Sequence, residues 1–388
     1  MTTTDTLRPR VATMLSNEAA WLPAAGAPLE MKPAPYTPPR ENEIVVKNHA
    51  VAINPIDWIV QSAGDIVVPW IKGPFILGSD TAGEVVEVGK SVTRFRVGDR
   101  VLGHAIGTDQ KRNRSAEGSF QTYTVLLEGM TAHVPDDMSF ERASVLPLGV
   151  STAACGLFQK DFLALEPPTV SPRPTGKTLL VWGGSTSVGS NAIQLAIAAG
   201  YDVITTASPK NFDYVKKLGA SQAFDYNDAN VVRDVIAACK GKTIAGAIAI
   251  GARSSEPCVD IVGACEGNKF VAMATYPISF EGQTGRPGLS FRLATVRRFI
   301  GFSIALWFRT RTRGVRTKFI FGSSLAHNEV GKVVYVDFLS KALAAGSYLA
   351  APDPHVVGTG LASIQAGLDM QRRGVSAAKV VISLPTRG

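Results

Sequence analysis

The chain has 388 residues, 45% of them hydrophobic and 19% charged, which excludes a disordered chain and exceeds one small core, so two domains are expected. Its four cysteines, Cys155, Cys239, Cys258 and Cys265, include no CxxC pair, which excludes a disulfide scaffold and argues against a structural zinc site. The net charge of +8 is local: Gly282 to Lys318 carries nine basic residues and no acid, while the rest of the chain holds 31 basic against 32 acidic residues, so no nucleic-acid partner is expected.

Met1 to Pro23 has no continuous apolar run and carries Asp5 and Glu18, so a cytoplasmic protein is expected. Residues 42–53 alternate and favour β-branched side chains, predicting a strand. Gly83–Val88, Val97–Val101 with its leading turn, and Gly118–Val125 predict further short strands. Together they predict a small β-rich domain over residues 1–150.

The pattern changes after the prolines at 167, 168, 172 and 174. Thr178–Trp182 reads as a buried strand, Gly183–Gly189 as a glycine-rich turn and Asn191–Ala199 as a helix. Strands over Val203–Thr206, Ala223–Phe224 and Ile244–Ile250 alternate with helices over Phe212–Leu218 and Val231–Cys239. That alternation predicts a parallel sheet with right-handed crossovers over residues 151–339, an α/β nucleotide-binding half. Val333–Ala345 and Leu361–Met370 read as helices, and Ala378–Leu384 as a closing strand expected to return to the first domain.

The turn carries the chemistry. Gly183 permits a sharp reversal, and Gly189 lets the helix approach the sheet. Backbone N–H groups at a helix N-terminus suit a pyrophosphate, whereas the alternative is a tight turn with no ligand. An NAD site wants an acid about 20 residues further on. Here the second strand ends in Thr205, Thr206, Ala207, Ser208, Pro209, Lys210 and Asn211, and Asp202 stands at its far edge. A hydroxyl and an ammonium suit a 2′-phosphate, so NADPH is expected; an ordinary helix cap beside a solvated lysine is the other reading.

With these residues, Asn54–Asp57, Gly78–Val85, Val97–Val101, Gly118–Phe120, Leu146–Leu148 and Ser151–Ala154, the chain resembles the zinc-free medium-chain dehydrogenase/reductases, in the quinone oxidoreductase and fungal trans-acting enoyl reductase branch. The resemblance runs from Glu43 to Leu384. It implies a GroES-like catalytic domain, residues 1–150 completed by about 340–388, and a Rossmann domain over 151–339. It assigns Asn54, Pro55, Ile56 and Asp57 to the nicotinamide side, with Ile250, Gly251, Val375 and Ser376 completing that end. Gly183, Gly184, Ser185, Thr186, Ser187 and Val188 form the pyrophosphate turn. Ser208, Pro209, Lys210 and Asn211 take the 2′-phosphate, and Tyr226 the adenine edge. Ser151 and Thr152 face the substrate, with Thr152 the one catalytic candidate.

Zinc-bearing relatives place metal ligands where this chain has Asn54, Ser79-Asp80 and Leu148, so no metal is expected. The pattern departs from its relatives in two places: Thr186 replaces the middle glycine of the turn, and the lysine that fungal relatives carry at or beside Ile59 is missing. Cys155 is read as core packing, and the five histidines as structural or solvated. The implied reaction is hydride transfer from NADPH to an enone, an enoyl thioester or a quinone; a non-catalytic NADPH-binding protein is the remaining alternative. The expected partner is a small-molecule substrate, for a monomer or a homodimer.

Residues 282–313 carry none of the motifs that bear the resemblance and differ in composition from both flanks. They read as a loop or dimer-face variation, a gene-model error, or a basic amphipathic element for a membrane or an acidic partner. The longest apolar run, Phe299–Phe308, covers ten residues against the roughly 20 a bilayer span needs, so no membrane span is expected.

Overall fold

The computed structural model describes residues 16–275 and 288–384. The reading of Met1–Pro23 therefore lies largely outside the described residues, as does 282–287 of the acid-free segment. In chain order, strands β1 (Asn17–Leu22), β2 (Glu30–Ala34) and β3 (Glu43–Ala52) precede helix α1 (Pro55–Val67). Strands β4 (Phe75–Ile76), β5 (Asp80–Val88), β6 (Arg100–His104), β7 (Tyr123–Leu127) and β8 (Thr131–His133) follow. Short α2 (Phe140–Ser144) and buried α3 (Pro147–Phe158) lead into the second half.

That half alternates strands and helices as its periodicity predicts. The elements are β9 (Lys177–Trp182), α4 (Ser187–Ala198), β10 (Asp202–Ala207), α5 (Phe212–Lys217), β11 (Gln222–Asp225), α6 (Val231–Ala238), β12 (Thr243–Ala249) and α7 (Ser255–Ala264). They continue through β13 (Glu266–Gly267), β14 (Phe270–Met273), α8 (Leu289–Arg313) and β15 (Arg316–Phe319). The strands form one parallel sheet in the order β11-β10-β9-β12-β14-β15, with β13 beside β12. Its middle strands are buried on both faces, which is why they read as unbroken apolar runs.

The chain then passes through α9 (Glu329–Gly331), a π-helical stretch over Lys332–Leu339 and α10 (Ser340–Ala344). It ends with β16 (Asp353–Thr359), α11 (Ile364–Arg373) and β17 (Ala378–Ser383). The closing strand β17 pairs antiparallel with β3. This makes a second sheet, β16-β17-β3-β5-β6-β8, with β7 also on β3. Pairing β17 with β3 sets the two ends of the chain side by side, so residues more than 300 positions apart can share a site. Helix α3 packs on α4 of the parallel sheet and on β6 of the other, so its side chains belong to both halves. One core cluster joins Ala52, Leu102, Val150, Leu179 and Ile193 across this junction.

The described part of the anomalous segment is not a loop. It is α8, a helix of 25 residues whose C-terminus is closed by Gly314 at φ 62°, a left-handed position that suits glycine.

Candidate active site

The glycine turn folds as its sequence demands. Gly183 sits at φ 86°, and a Cβ there would lie 2.6 Å from the Ile250 carbonyl oxygen. A Cβ at Gly189 would lie 2.2 Å from the Gly183 oxygen, so α4 reaches its place on the sheet only with glycine. Thr186 is the N-cap of α4: its hydroxyl accepts from Gly189 N–H at 3.0 Å and donates to Gly183 O at 2.8 Å. The residue standing for the missing middle glycine thus braces the turn. Gly184 N–H donates to Thr206 O, and Gly183 N–H to Thr206 Oγ1, which pins the turn to the end of β10. The Ser187 hydroxyl is buried against Gly149 of α3 and has no hydrogen-bond partner among the described residues.

Beyond β10, the structure brings two pairs of the sequence-assigned residues together. Ser208 Oγ lies 3.1 Å from Tyr226 Oη, and Asn211 Nδ2 donates to Ser376 Oγ at 3.2 Å. Pro209 and Lys210 stand exposed between them, and Lys210 makes no ion pair among the described residues. Asp202 lies at the other end of β10, where it is held by Lys242 at 3.0 Å. Ile250 N–H donates to Trp182 O at 3.1 Å, and Gly251 N–H donates to Thr275 Oγ1 at 2.7 Å. A Cβ at Gly251 would meet nothing within 4 Å, so this edge of the turn faces open space. Val375 is half-buried on the segment leading into β17.

At the other end of the cleft, Asn54 caps α1, Pro55 and Ile56 open its first turn, and Asp57 accepts from Asn54 N–H at 2.8 Å. Burial pushes the Asp57 carboxyl up to about 7, with the Asp80 carboxylate adding to the rise and Lys379 opposing it. Asn54 Nδ2 donates to Asp80 Oδ2 at 2.8 Å, and Leu148 N–H donates to Asp80 Oδ1 at 2.6 Å. The three positions read from sequence as vacated metal-ligand places therefore converge on one carboxylate. A fourth group completes them. Lys379, on β17 and 3% exposed, donates to Asn54 Oδ1 at 2.5 Å and to Asp80 Oδ2 at 2.8 Å.

A second buried chain crosses α3. Tyr335 Oη donates to the Pro147 carbonyl at 2.8 Å, lies 2.7 Å from Ser151 Oγ, and Ser151 Oγ lies 2.9 Å from His104 Nδ1. The phenol has one proton and the carbonyl can only accept. Ser151 must therefore donate to Tyr335, and His104 must donate from Nδ1 to Ser151. His104 is thereby the Nδ1–H tautomer, its Nε2 an acceptor without a partner among the described residues. Burial lowers the His104 pKa to about 4, so the ring is neutral at physiological pH. Thr152, next along α3, is 8% exposed and has its hydroxyl against Gly322.

Sequence reading assigned Ser151, Thr152 and Asn54–Asp57 but missed Lys379 and Tyr335; it took His104 as structural or solvated, and the ring is buried and bonded to Ser151. Lys379 did carry a signal: an ammonium in the apolar strand Ala378–Ser383 requires a buried carboxylate opposite. Cys155 is buried in α3, and burial pushes its thiol up to about 11, which leaves it inert packing. Among the described residues, no cluster of three or more His, Cys, Asp or Glu is placed to hold a metal ion, and no helix is long and apolar enough to cross a membrane.

Comparison with known proteins fits this layout. Residues 40–136 match the alcohol dehydrogenase GroES-like domain, and residues 187–265 match the zinc-binding dehydrogenase model. Dehydrogenase pigH of Monascus ruber is 56% identical over 373 residues, covering 96% of this chain and all of that protein. The trans-enoyl reductase himH of Aspergillus japonicus is 38% identical over 374 residues, covering 95% of this chain and 98% of its own length. Among solved structures, mycobacterial Rv1454c complexed with NADPH superposes with a TM-score of 0.66 at 21% identity, over 95% of this chain and 100% of that one.

Proposed function

The chain belongs to the medium-chain dehydrogenase/reductase family of oxidoreductases, with a GroES-like and a Rossmann part, and on that footing we propose that it is an NADPH-dependent, zinc-independent reductase. Its hydride acceptor in this reading is the activated carbon–carbon double bond of an enone or enoyl substrate, small or polyketide-derived. The catalytic domain is residues 1–150 with about 340–388, and the cofactor domain is 151–339.

The observation that carries the reading is the glycine turn at the N-terminus of α4, followed by a strand whose far end offers Ser208 and Lys210 in place of an acid. The residues fit a dinucleotide. Ser185–Val188 hold the pyrophosphate; Ser208–Asn211 hold the 2′-phosphate, with Tyr226 against the adenine. Ile250, Gly251, Val375 and Ser376, with Asn54–Asp57, frame the nicotinamide. When bound, reduced nicotinamide supplies a hydride to carbon. Thr152 orients the acceptor and its Oγ1 is the donor that meets charge developing on the substrate carbonyl, while Ser151, fully buried with its hydroxyl engaged by Tyr335 and His104, does not face the substrate and holds α3 in place. His104 has no proton at Nε2 and Lys379 Nζ is held by Asn54 and Asp80, so the one proton that completes the reduction comes from solvent. The likeness to a trans-enoyl reductase and to a structure complexed with NADPH supports this choice of acceptor and cofactor.

The donor set does not suit zinc. Zinc sites use thiolate, imidazole and carboxylate, whereas here one carboxylate and one amide are already bound to the Lys379 ammonium, a like charge in the metal's place. Steady-state NADPH consumption against enoyl thioesters, enones and quinones tests the proposal, with elemental analysis alongside. Enoyl turnover without bound zinc is expected. Turnover of quinones alone would reassign the enzyme as a quinone reductase; tight NADPH binding with no turnover of any acceptor would make it a binding protein. One tightly held zinc per chain would overturn the metal-free reading.

A further inference from the structure

Helix α8 has two apolar faces, and the fold uses only one. Thr295 and Leu306 are buried, and Phe302 packs on the cluster that includes Val259 and Val262 of α7. Arg309 and Arg313 clamp that face to Asp260 of α7 at 2.8 and 3.2 Å, and Arg292 is paired with Asp65 of α1. On a different face Leu289, Leu293, Val296, Ile300, Ile304 and Trp307 recur every three or four residues, which makes one stripe along the helix. Each is between 51% and 73% exposed, and Phe308 beside them is 64% exposed. Single apolar residues on a surface are ordinary; a continuous row of six is not.

The charges around the stripe indicate what covers it. Arg297 and Arg311 flank the stripe, are exposed and make no ion pair among the described residues. No Asp or Glu occurs between Gly282 and Lys318. A second copy laid on this stripe would bring arginines against arginines with no carboxylate on either helix to answer them. A bilayer with anionic headgroups has no such conflict, because its acyl boundary takes the leucines, isoleucines and Trp307 while its phosphates take the guanidiniums. Helix α8 would be about 37 Å long, and its tethering to α7 and α1 suits it to lie on a membrane and not to cross one.

We propose that α8 docks this protein on an anionic membrane surface, with the Leu289–Trp307 stripe in the headgroup–acyl boundary. The test is flotation of the full-length protein with vesicles of phosphatidylcholine alone and of phosphatidylcholine with phosphatidylglycerol, at low and high salt. Two arginines near such a surface give roughly a thirtyfold preference for the anionic vesicles, and high salt should remove most of it. Ile300→Glu with Ile304→Glu should abolish flotation, and because both side chains are exposed the variant should keep its circular dichroism and its cofactor affinity. Flotation that is absent, equal on both vesicles or unchanged in the double variant would overturn the proposal. So would light scattering that finds a dimer which the double variant dissociates.

Discussion

At the turn after β9 and the loop after β10, the groups that matter come from short runs of consecutive residues and are left open: Thr186 and Lys210 stand exposed. At the α3 end of the cleft, Asn54, Asp80, Leu148 and Lys379 come from four separate stretches and satisfy one another. The first end is shaped for something that arrives; the second is finished before anything arrives. Buried polar groups that are fully paired hold backbone segments in register, so the closed end sets geometry while the open end supplies affinity. Substitutions should therefore damage the two ends differently.

The largest effect is expected at the joint of turn and helix. Gly189→Val places branched carbon where Gly183 O already lies 2.2 Å from a Cβ, and backbone cannot yield as a side-chain tip can. Loss of NADPH binding together with a fall in thermal stability, or insoluble protein, is expected. Gly183→Val should behave alike, because φ 86° is closed to valine. Calorimetry showing wild-type NADPH affinity in either soluble variant would remove the turn from the cofactor site.

Next comes the closed end. Lys379→Met leaves the Asp80 carboxylate, wholly buried, without its countercharge. Breaking such a pair costs about 3–5 kcal/mol, whereas removing both charges costs far less. Lys379→Met should lower the melting temperature sharply, and Lys379→Met with Asp80→Asn should recover much of the loss. Equal melting temperatures for the single and double variants would mean that the ammonium merely fills space.

The same contrast explains what is legible in the sequence. The β9–turn–α4 unit is coded locally, by an apolar run, two obligatory glycines and a capping threonine, so its place and the class of ligand it suits can be read from consecutive residues. The seven-stranded sheet around β3 is legible only in part. Helix α1 escapes a reading by period because Asn54–Val67 mixes Pro, Asp and Gly with apolar residues, and β16 does so because its exposed alternation is weak. The Asp80–Lys379 pair joins residues at opposite ends of the chain, which no local period can announce. The His104–Ser151–Tyr335 chain is likewise made by α3 meeting β6 and the π-helical stretch.

That chain gives the third prediction, a test of whether the closed end is closed to protons too. His104 has a folded pKa of about 4 against an ordinary value near 6.5. The unfolded chain therefore binds the proton more readily, so stability is complete above about pH 6.5 and falls as pH drops toward 4. His104→Asn places an amide N–H where Nδ1 stands, so it can still donate to Ser151, and it has no proton to gain. Its melting temperature should lie near wild type at pH 8 and change less than wild type between pH 6.5 and 4. Parallel curves for the two proteins would mean that His104 titrates normally and that the chain is open to water.

The smallest effect belongs to the open end and is the most selective. Lys210 follows β10 at the position where an acid would hold a ribose diol, and it is exposed with no ion pair among the described residues. Losing it should leave the fold alone, because it supports nothing internal. A hydrogen bond to a charged group is worth about 1.5–3 kcal/mol, and exposure places this one at the lower end. Lys210→Ala should therefore weaken NADPH about tenfold at low salt, at about 1.4 kcal/mol per tenfold, and leave NADH unchanged, since NADH presents no phosphate there. Ser208→Ala should add a smaller loss, because its hydroxyl is shared with Tyr226. The difference between the cofactors should narrow as salt rises. Dissociation constants for both cofactors, in wild type and variant, decide it. Equal losses would mean that the lysine orders the loop and touches no phosphate, and a wild-type preference for NADH would reverse the reading of this end of the cleft.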